Sequence, residues 1–113
     1  MDTRRKIVDA AEAERIAASG ATVVSGYVDP TLAAHAARLA ALKRKGAPLL
    51  VLIATPENPI LPARARAELV AGLMEGDHVA ELAGGLAPQV RLESEDATIF
   101  ENLIERVRAR TAL

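Results

Sequence analysis

Residues 21–54 read ATVVSGYVDPTLAAHAARLAALKRKGAPLLVLIA, and this stretch decides the fold. Its two ends, 21–26 and 48–54, are short, continuously apolar segments of the kind that form buried strands. Between them Asp29-Pro30 opens a helical segment, since proline suits the first turn of a helix. The apolar positions 32, 36, 39 and 42 recur there at helical spacing. The stretch therefore predicts a strand, a crossover helix and a parallel second strand.

The same alternation continues on both sides of this unit. Towards the C-terminus the sequence predicts a helix from Pro62 to about residue 74, and strands at 78–82 and 89–92. Thr98 with Glu101 forms a capping-box pattern that predicts the start of the last helix. Towards the N-terminus, Asp9 and Glu12 form another such pattern, followed by a helical segment that ends at Gly20.

Continuously apolar strands that alternate with helices indicate a parallel sheet covered on both faces. We therefore predict an α/β fold, a three-layer Rossmann-like sandwich with a mostly parallel sheet of four to five strands and helices on both faces. The 113 residues form one domain in this interpretation. It consists of an N-terminal helix at 9–19, a βαβαβ core at 21–82 and a closing strand and helix at 89–112.

Composition excludes several classes of function. The net charge is −1 and only two residues are aromatic, whereas nucleic-acid binding favours basic surfaces and stacking rings. No segment approaches the roughly 20 apolar residues of a membrane span. The absence of cysteine excludes disulfides and thiolate chemistry. We expect a cytoplasmic protein that binds neither nucleic acid nor membrane.

Two polar residues fall on apolar helix faces, each near the start of a helix that follows a strand. His35 lies on such a face of the second helix, and Arg66 on that of the third. Ligands of these sheets bind beyond the carboxyl ends of the strands, so the pair predicts a phosphate site there. Alternatively, His35 is a core histidine bonded to a backbone carbonyl, and Arg66 extends to solvent or pairs with Glu68 or Asp77.

Two segments resemble the motifs of a known family. Residues 26–35, GYVDPTLAAH, resemble the G-x-F-D-x-x-H-x-G-H signature of the nucleotidylyltransferases, the cytidylyltransferase-like superfamily. Residues 60–73, ILPARARAELVAGL, resemble its P-x-x-x-R-A-E-x-x-x-x-L helix. The nearest similarity is to the heptose-phosphate adenylyltransferase domain, with a register that holds from about residue 6 to residue 82.

The resemblance implies a reaction and a site. A phosphorylated small molecule would attack a nucleoside triphosphate, usually with Mg²⁺, and pyrophosphate would leave; a homo-oligomer is also typical of the family. No residue is predicted to bind a resident metal. His35 is the implied catalytic residue. The residues implied to bind the nucleotide or phosphate are Gly26, Tyr27, Asp29, Thr31, His35, Thr55 and Arg66.

The chain also departs from the family pattern, which leaves three hypotheses open. Leu32 and Ala34 replace the first motif histidine and a motif glycine, and Glu101 places a carboxylate where the triphosphate charge would lie. The first hypothesis is a diverged domain with lost or weak nucleotidylyl transfer and residual nucleotide or phosphate binding. The others are an active nucleotidylyltransferase and a non-catalytic assembly or regulatory protein. An open polar pocket near Gly26 favours activity, whereas closure by Leu32 and Phe100 opposes it.

Overall fold

The computed structural model describes residues 2–29, 33–43, 46–73, 76–84 and 86–111, with the backbone alone at 33, 96–100 and 111. A short 3-10 helix, Thr3–Lys6, comes first. The described helices are Ala10–Ala18 (α1), Ala33–Leu42 (α2), Ala63–Ala71 (α3) and Glu93–Thr111 (α4). The strands are Thr22–Gly26 (β1), Leu49–Ile53 (β2), His78–Glu81 (β3) and Val90–Arg91 (β4).

The four strands form one parallel sheet in the order β3-β2-β1-β4. Val24 lies between Val51 and Val90, and Val51 is in turn paired with Val79. The chain moves outward from β1 to β3 and then returns to place β4 on the other side of β1. The α/β prediction of a Rossmann-like parallel sheet with four strands is confirmed.

The buried apolar side chains divide into two clusters, because alternate residues of a strand point to opposite faces. The first cluster joins strand side chains to α2 and α3, and it includes Val24, Leu39, Val51, Val70 and Val79. The second joins the other strand side chains to α1, and it includes Ala13, Ala21, Val23, Leu50 and Leu52. Each fully buried valine or leucine contributes about 1.5–3 kcal/mol relative to an exposed one.

Local signals fix the ends of α1. The Asp9 side chain accepts a hydrogen bond from the Glu12 N–H at 2.8 Å, which satisfies one of the free donors of the first turn. Gly20, just past the helix, adopts a φ of +104°, a conformation that glycine tolerates best. This helix coincides with the segment that the capping-box pattern indicates. The residues expected to open α2, 30–32, lie outside the described part of the chain.

The last helix begins at Glu93, so the prediction that Thr98 and Glu101 cap its start is wrong. The physical reason is a tertiary contact with a distant part of the chain. The Leu92 N–H extends the sheet by donating to the Ser25 carbonyl at 2.8 Å, and the chain turns into α4 at the next residue. Acidic residues at this helix start also suit the positive end of its dipole.

The N-terminal segment adds an unpredicted contact to the β3 edge. Ile7 forms a parallel bridge with Val79, and the Val8 N–H donates to the Val79 carbonyl at 2.8 Å. An exposed strand edge favours unwanted pairing, and this short segment covers part of it. None of the helices in the described ranges combines the length and apolar composition that a membrane crossing requires.

Asp77, just before β3, ties three elements together. Its Oδ2 accepts the Leu49 N–H of β2 at 2.8 Å, and its Oδ1 accepts a hydrogen bond from Lys43, after α2, at 3.1 Å. Burial by itself would raise the pKa of Asp77. The two hydrogen bonds and the nearby Lys43 charge outweigh that effect, so the pKa of Asp77 lies below its ordinary value.

Asp77→Asn is expected to lower the free energy of unfolding by about 1–2 kcal/mol at neutral pH. A carboxyl group with a lowered folded-state pKa stabilises the fold above the unfolded-state pKa of about 4. That stabilisation is lost as the pH falls through the folded-state pKa, so variant and parent should converge below about pH 4. Urea unfolding at several pH values measures the difference in unfolding free energy between variant and parent, with the exposed Glu14→Gln as control. A difference in unfolding free energy that does not change with pH would contradict the expectation.

Candidate functional site

The candidate site lies at the carboxyl ends of β1 and β2, where the loops after both strands meet. In open parallel sheets ligands bind at this edge, at the point where the strand order reverses. Here that point lies between β1 and β4. The Ala54 N–H donates to the Gly26 carbonyl at 2.9 Å, which holds the two loops together from their first residues.

Arg66 of α3 is fully buried and bonds to both loops. Its Nη1 donates to the Tyr27 carbonyl at 2.8 Å and to the Ala54 carbonyl at 2.7 Å, while Nε donates to the Leu61 carbonyl at 3.0 Å. Nη2 lies 3.4 Å from the Thr55 hydroxyl. The planar fork of a guanidinium suits this multiple recognition. The arginine therefore acts as a clamp on backbone carbonyls at the strand ends.

Carbonyl groups take the place of the carboxylates that the sequence suggested for Arg66. Glu68 pairs instead with Arg64 at 3.4 Å, and Asp77 pairs with Lys43 at 3.0 Å. Burying a cation away from water is costly unless hydrogen bonds compensate, and the carbonyl dipoles supply them here. A phosphate reaching Arg66 would have to displace backbone contacts.

Asp29 anchors the same segment from the β1 side. Its Oδ2 accepts the Ile60 N–H at 2.6 Å, and its Oδ1 accepts the Leu61 N–H at 2.9 Å. Leu61 is thus held at its N–H by Asp29 and at its carbonyl by Arg66. Two opposite charges act on one stretch of backbone, so the 54–61 segment is fixed relative to β1.

Asp29→Asn is expected to loosen this segment, because asparagine has one side-chain acceptor oxygen where aspartate has two. Amide exchange at Ile60 and Leu61 should accelerate at least about tenfold, with a loss of roughly 1–3 kcal/mol in local stability. Hydrogen exchange followed by NMR measures both amides separately. Glu57→Gln, an exposed change in the same loop, is the control. Unchanged exchange at both amides would contradict the anchoring function of Asp29.

Val28 adopts an unusual backbone conformation between Tyr27 and Asp29. Its φ is +43°, in the left-handed region that costs a β-branched residue of order 1–3 kcal/mol. The side chain is nevertheless 2% exposed and belongs to the apolar cluster that contains Leu39. Bonds on both sides, at the Tyr27 carbonyl and the Asp29 carboxylate, hold the residue in this conformation.

Val28→Gly is expected to be more stable than Val28→Ala by about 0.5–1 kcal/mol, although it removes one more carbon. Both variants lose packing, but glycine alone also relieves the left-handed strain. Chemical denaturation of the two proteins measures the difference. The ordinary order of stability, with alanine above glycine, would show that the backbone at residue 28 is not strained.

The other predicted site residues are only partly brought together. The contacts above join Tyr27, Thr55 and Arg66 directly, and Asp29 through Leu61. His35 lies in the first turn of α2 and is 3% exposed. Gly26 ends β1 and is buried. Thr31 lies outside the described residues, as do Leu32 and the side chain of Phe100, which the sequence offered as closing the pocket.

Sequence reasoning missed a pair at the strand-order reversal, Ser25 and Glu93. The Ser25 hydroxyl, fully buried at the end of β1, donates to Glu93 Oε1 at 2.6 Å. Glu93 opens α4, and Glu95 in the same turn pairs with Arg38 of α2 at 3.2 Å. The signal in the sequence was a serine in an apolar strand and an acid two residues after β4. Glu101, expected here, lies exposed further along α4.

The carboxylates of this edge do not fit a resident Mg²⁺. Both oxygens of Asp29 accept backbone N–H groups, and one oxygen of Glu93 accepts the Ser25 hydroxyl. A divalent cation of this kind prefers several free oxygen ligands. Within the ranges that the structure describes, no group of three or more histidine, aspartate or glutamate side chains could hold a metal ion.

No protein-family model matches the chain, and no curated protein matches it at a significant level. The resemblance to the nucleotidylyltransferases therefore rests on the motifs at 26–35 and 60–73. The parallel sheet is compatible with that family, but many unrelated functions use sheets of this kind.

Proposed function

We propose that this chain is a diverged cytidylyltransferase-like domain in which nucleotidylyl transfer is lost or weak. It retains at most weak binding of a nucleotide or a phosphorylated small molecule. The observation that carries the proposal is the Glu93 carboxylate, bonded to Ser25 where the strand order reverses. The resemblance implies that the triphosphate charge lies at the last helix. A carboxylate there repels the triphosphate and offsets the positive end of the helix dipole that would attract it.

Arg66 supports the same conclusion from the other side of the edge. Transfer of a nucleotidyl group requires preorganised donors that stabilise charge on the phosphoryl oxygens. The Arg66 donors already bond to Tyr27, Ala54 and Leu61. Loss of one positioned donor costs about 10²–10³-fold in rate, so a site without this cation and without the first motif histidine is a poor catalyst.

Pyrophosphate release from ATP and CTP, each with Mg²⁺ and a panel of sugar phosphates, tests the proposal. Turnover is expected to stay well below the roughly 1 s⁻¹ that marks the low end of ordinary enzymes. An intact nucleotidylyltransferase in the same assay is the positive control. Calorimetric titration of both nucleotides should give dissociation constants of about 1 mM or weaker. Turnover at an ordinary enzymatic rate would overturn the proposal.

A further inference from the structure

A cavity of about 470 Å³ lies at the outer edge of β3, the edge of the sheet opposite β4. Its volume falls within the roughly 300–1,000 Å³ of small-molecule sites. Three segments form its wall: residues 7–10, which lead into α1, the first two turns of α3, and residues 81–83 at the end of β3. These residues are different from those that Arg66 contacts, so the cavity is separate from the candidate site.

The cavity forms because the N-terminal segment covers only part of the β3 edge. The Val8 N–H donates to the Val79 carbonyl at 2.8 Å, and the chain then leaves the edge to begin α1. Just after β3, the Leu82 N–H donates to the Ile53 carbonyl of β2 at 2.9 Å. Successive backbone groups of a paired strand alternate in direction, so the N–H and carbonyl of Glu81 face the outer edge. The end of β3 therefore borders the cavity beyond the reach of the N-terminal segment.

Two opposite charges line the cavity from the same face of the sheet. Val79 packs in the apolar cluster that contains α3, and Glu81, two residues later, has its side chain on the same face of the strand. Arg64 lies in the first turn of α3. Both charged side chains line the cavity, but the described part of the chain contains no ion pair between them. A cation and an anion thus lie at separate points of one wall.

Both charged groups can accept a new partner. Arg64 contacts Glu68 through Nε at 3.4 Å, and its two Nη groups have no hydrogen-bond partner among the described residues. A guanidinium with free Nη groups binds a carboxylate in a planar, bidentate manner. The Glu81 carboxylate is exposed and likewise has no such partner within the described ranges. A ligand can therefore pair with both residues without displacing a contact that holds the fold.

Most of the remaining wall is apolar. Ile7 and Val8 line the cavity from the N-terminal segment, and the fully buried Ala67 lines it from α3. Leu82 adds a large apolar side chain that is 37% exposed. Covering apolar surface of this kind with an apolar group is favourable. A well-matched ligand therefore has an apolar group as well as two opposite charges.

We propose that this cavity binds a free α-amino acid with a branched aliphatic side chain. The ligand carboxylate pairs with Arg64, its ammonium group pairs with Glu81, and its side chain covers Leu82. A polyanion such as a nucleotide is disfavoured, because Asp9 and Glu81 place two negative charges in the wall against one positive charge. The proposal does not rest on the function proposed for the other strand ends.

Titration of L-leucine, followed by NMR of the backbone amides, tests the site. Saturable shifts at Ala10, Glu81 and Leu82 are expected, with a dissociation constant of about 1 mM for so small a ligand. Isocaproate, which lacks the ammonium group, and isoamylamine, which lacks the carboxylate, are the matched ligands. Each should bind at least about tenfold more weakly, because it leaves one charge of the cavity without a partner. No saturation by about 50 mM L-leucine, or equally strong binding of either analogue, would overturn the proposal.

Two variants assign the charges of the ligand to their partners. Glu81→Gln should weaken L-leucine at least about tenfold but should not weaken isocaproate, which has no ammonium group. Arg64→Gln should weaken L-leucine by a similar factor but should not weaken isoamylamine, which has no carboxylate. Arg91→Gln and Glu105→Gln, exposed changes on β4 and α4, are the controls and should bind L-leucine as the parent does. Equal weakening of L-leucine and its analogue by either variant would overturn the proposed pairing.

Discussion

Replacing Arg66 with methionine is expected to lower the free energy of unfolding by about 3–5 kcal/mol. The change removes the fully buried guanidinium that donates to the carbonyls of Tyr27, Ala54 and Leu61; the Ala54 contact is buried and the other two are partly buried. A buried acceptor left unsatisfied costs about 1–3 kcal/mol, and loss of the costly buried charge offsets part of the sum. The loops after β1 and β2 should separate first.

Arg64→Met is the matched control for this change. Arg64 lies on the same helix and pairs with Glu68 at 3.4 Å, but both side chains are exposed. Exposed pairs of this kind contribute about 0–1 kcal/mol. Urea unfolding of both variants gives the two stability changes. The comparison holds where the slope of the unfolding free energy against urea concentration is unchanged. A loss below about 1 kcal/mol for Arg66→Met would contradict the clamp.

The lysine variant separates a structural clamp from a phosphate site. Lysine keeps the positive charge but has three donors on a single nitrogen, without the planar fork. If Arg66 holds the loops, Arg66→Lys should recover less than half of the stability lost in Arg66→Met. If Arg66 served mainly to attract phosphate, lysine would be an adequate replacement, because it binds phosphate as a point charge.

Local sequence signals were sufficient for the sheet and for α1. β-branched and leucine-rich segments predict the two inner strands, β1 and β2, since such residues suit a pleated buried surface. The Asp9 and Glu12 pattern predicts α1 because the capping bond forms within four residues. Features that depend only on near neighbours in the chain are the ones that a sequence reveals best.

The start of α4 shows where local signals fail. A capping-box pattern at Thr98 is weaker than the attachment of Leu92 and Glu93 to Ser25, which is 67 residues or more away in the chain. The bridge from Ile7 to Val79 is equally remote in sequence. Contacts of this kind depend on the assembled sheet, and no short window of sequence contains them.

The candidate site combines both cases. Helical periodicity correctly places Arg66 on the buried face of α3. It cannot show what the guanidinium meets there, because the carbonyls of Tyr27 and Ala54 are available only through the paths of two loops. One of those paths requires the left-handed conformation of Val28. Valine rarely adopts this conformation, so the sequence does not predict it. The distinction between anion site and clamp was therefore beyond the sequence.

Glu93 is the residue whose change should most alter the electrostatics of the site. Glu93→Gln is expected to tighten the binding of inorganic pyrophosphate about tenfold. A unit charge about 10 Å from a unit phosphate charge contributes roughly 1.7 kcal/mol at an effective dielectric of 20, and 1.4 kcal/mol corresponds to a factor of ten. Glutamine has nearly the same shape, and its oxygen can still accept the Ser25 hydroxyl.

Calorimetric titration of pyrophosphate at low ionic strength measures this effect, since salt screens it. Glu105→Gln is the matched control, because it removes the same charge from an exposed position further along α4. A gain confined to Glu93→Gln places the anion at the strand-order reversal, where a carboxylate now opposes it. An equal gain in both variants would mean that only the net charge matters, and that this edge of the sheet no longer binds phosphate at all.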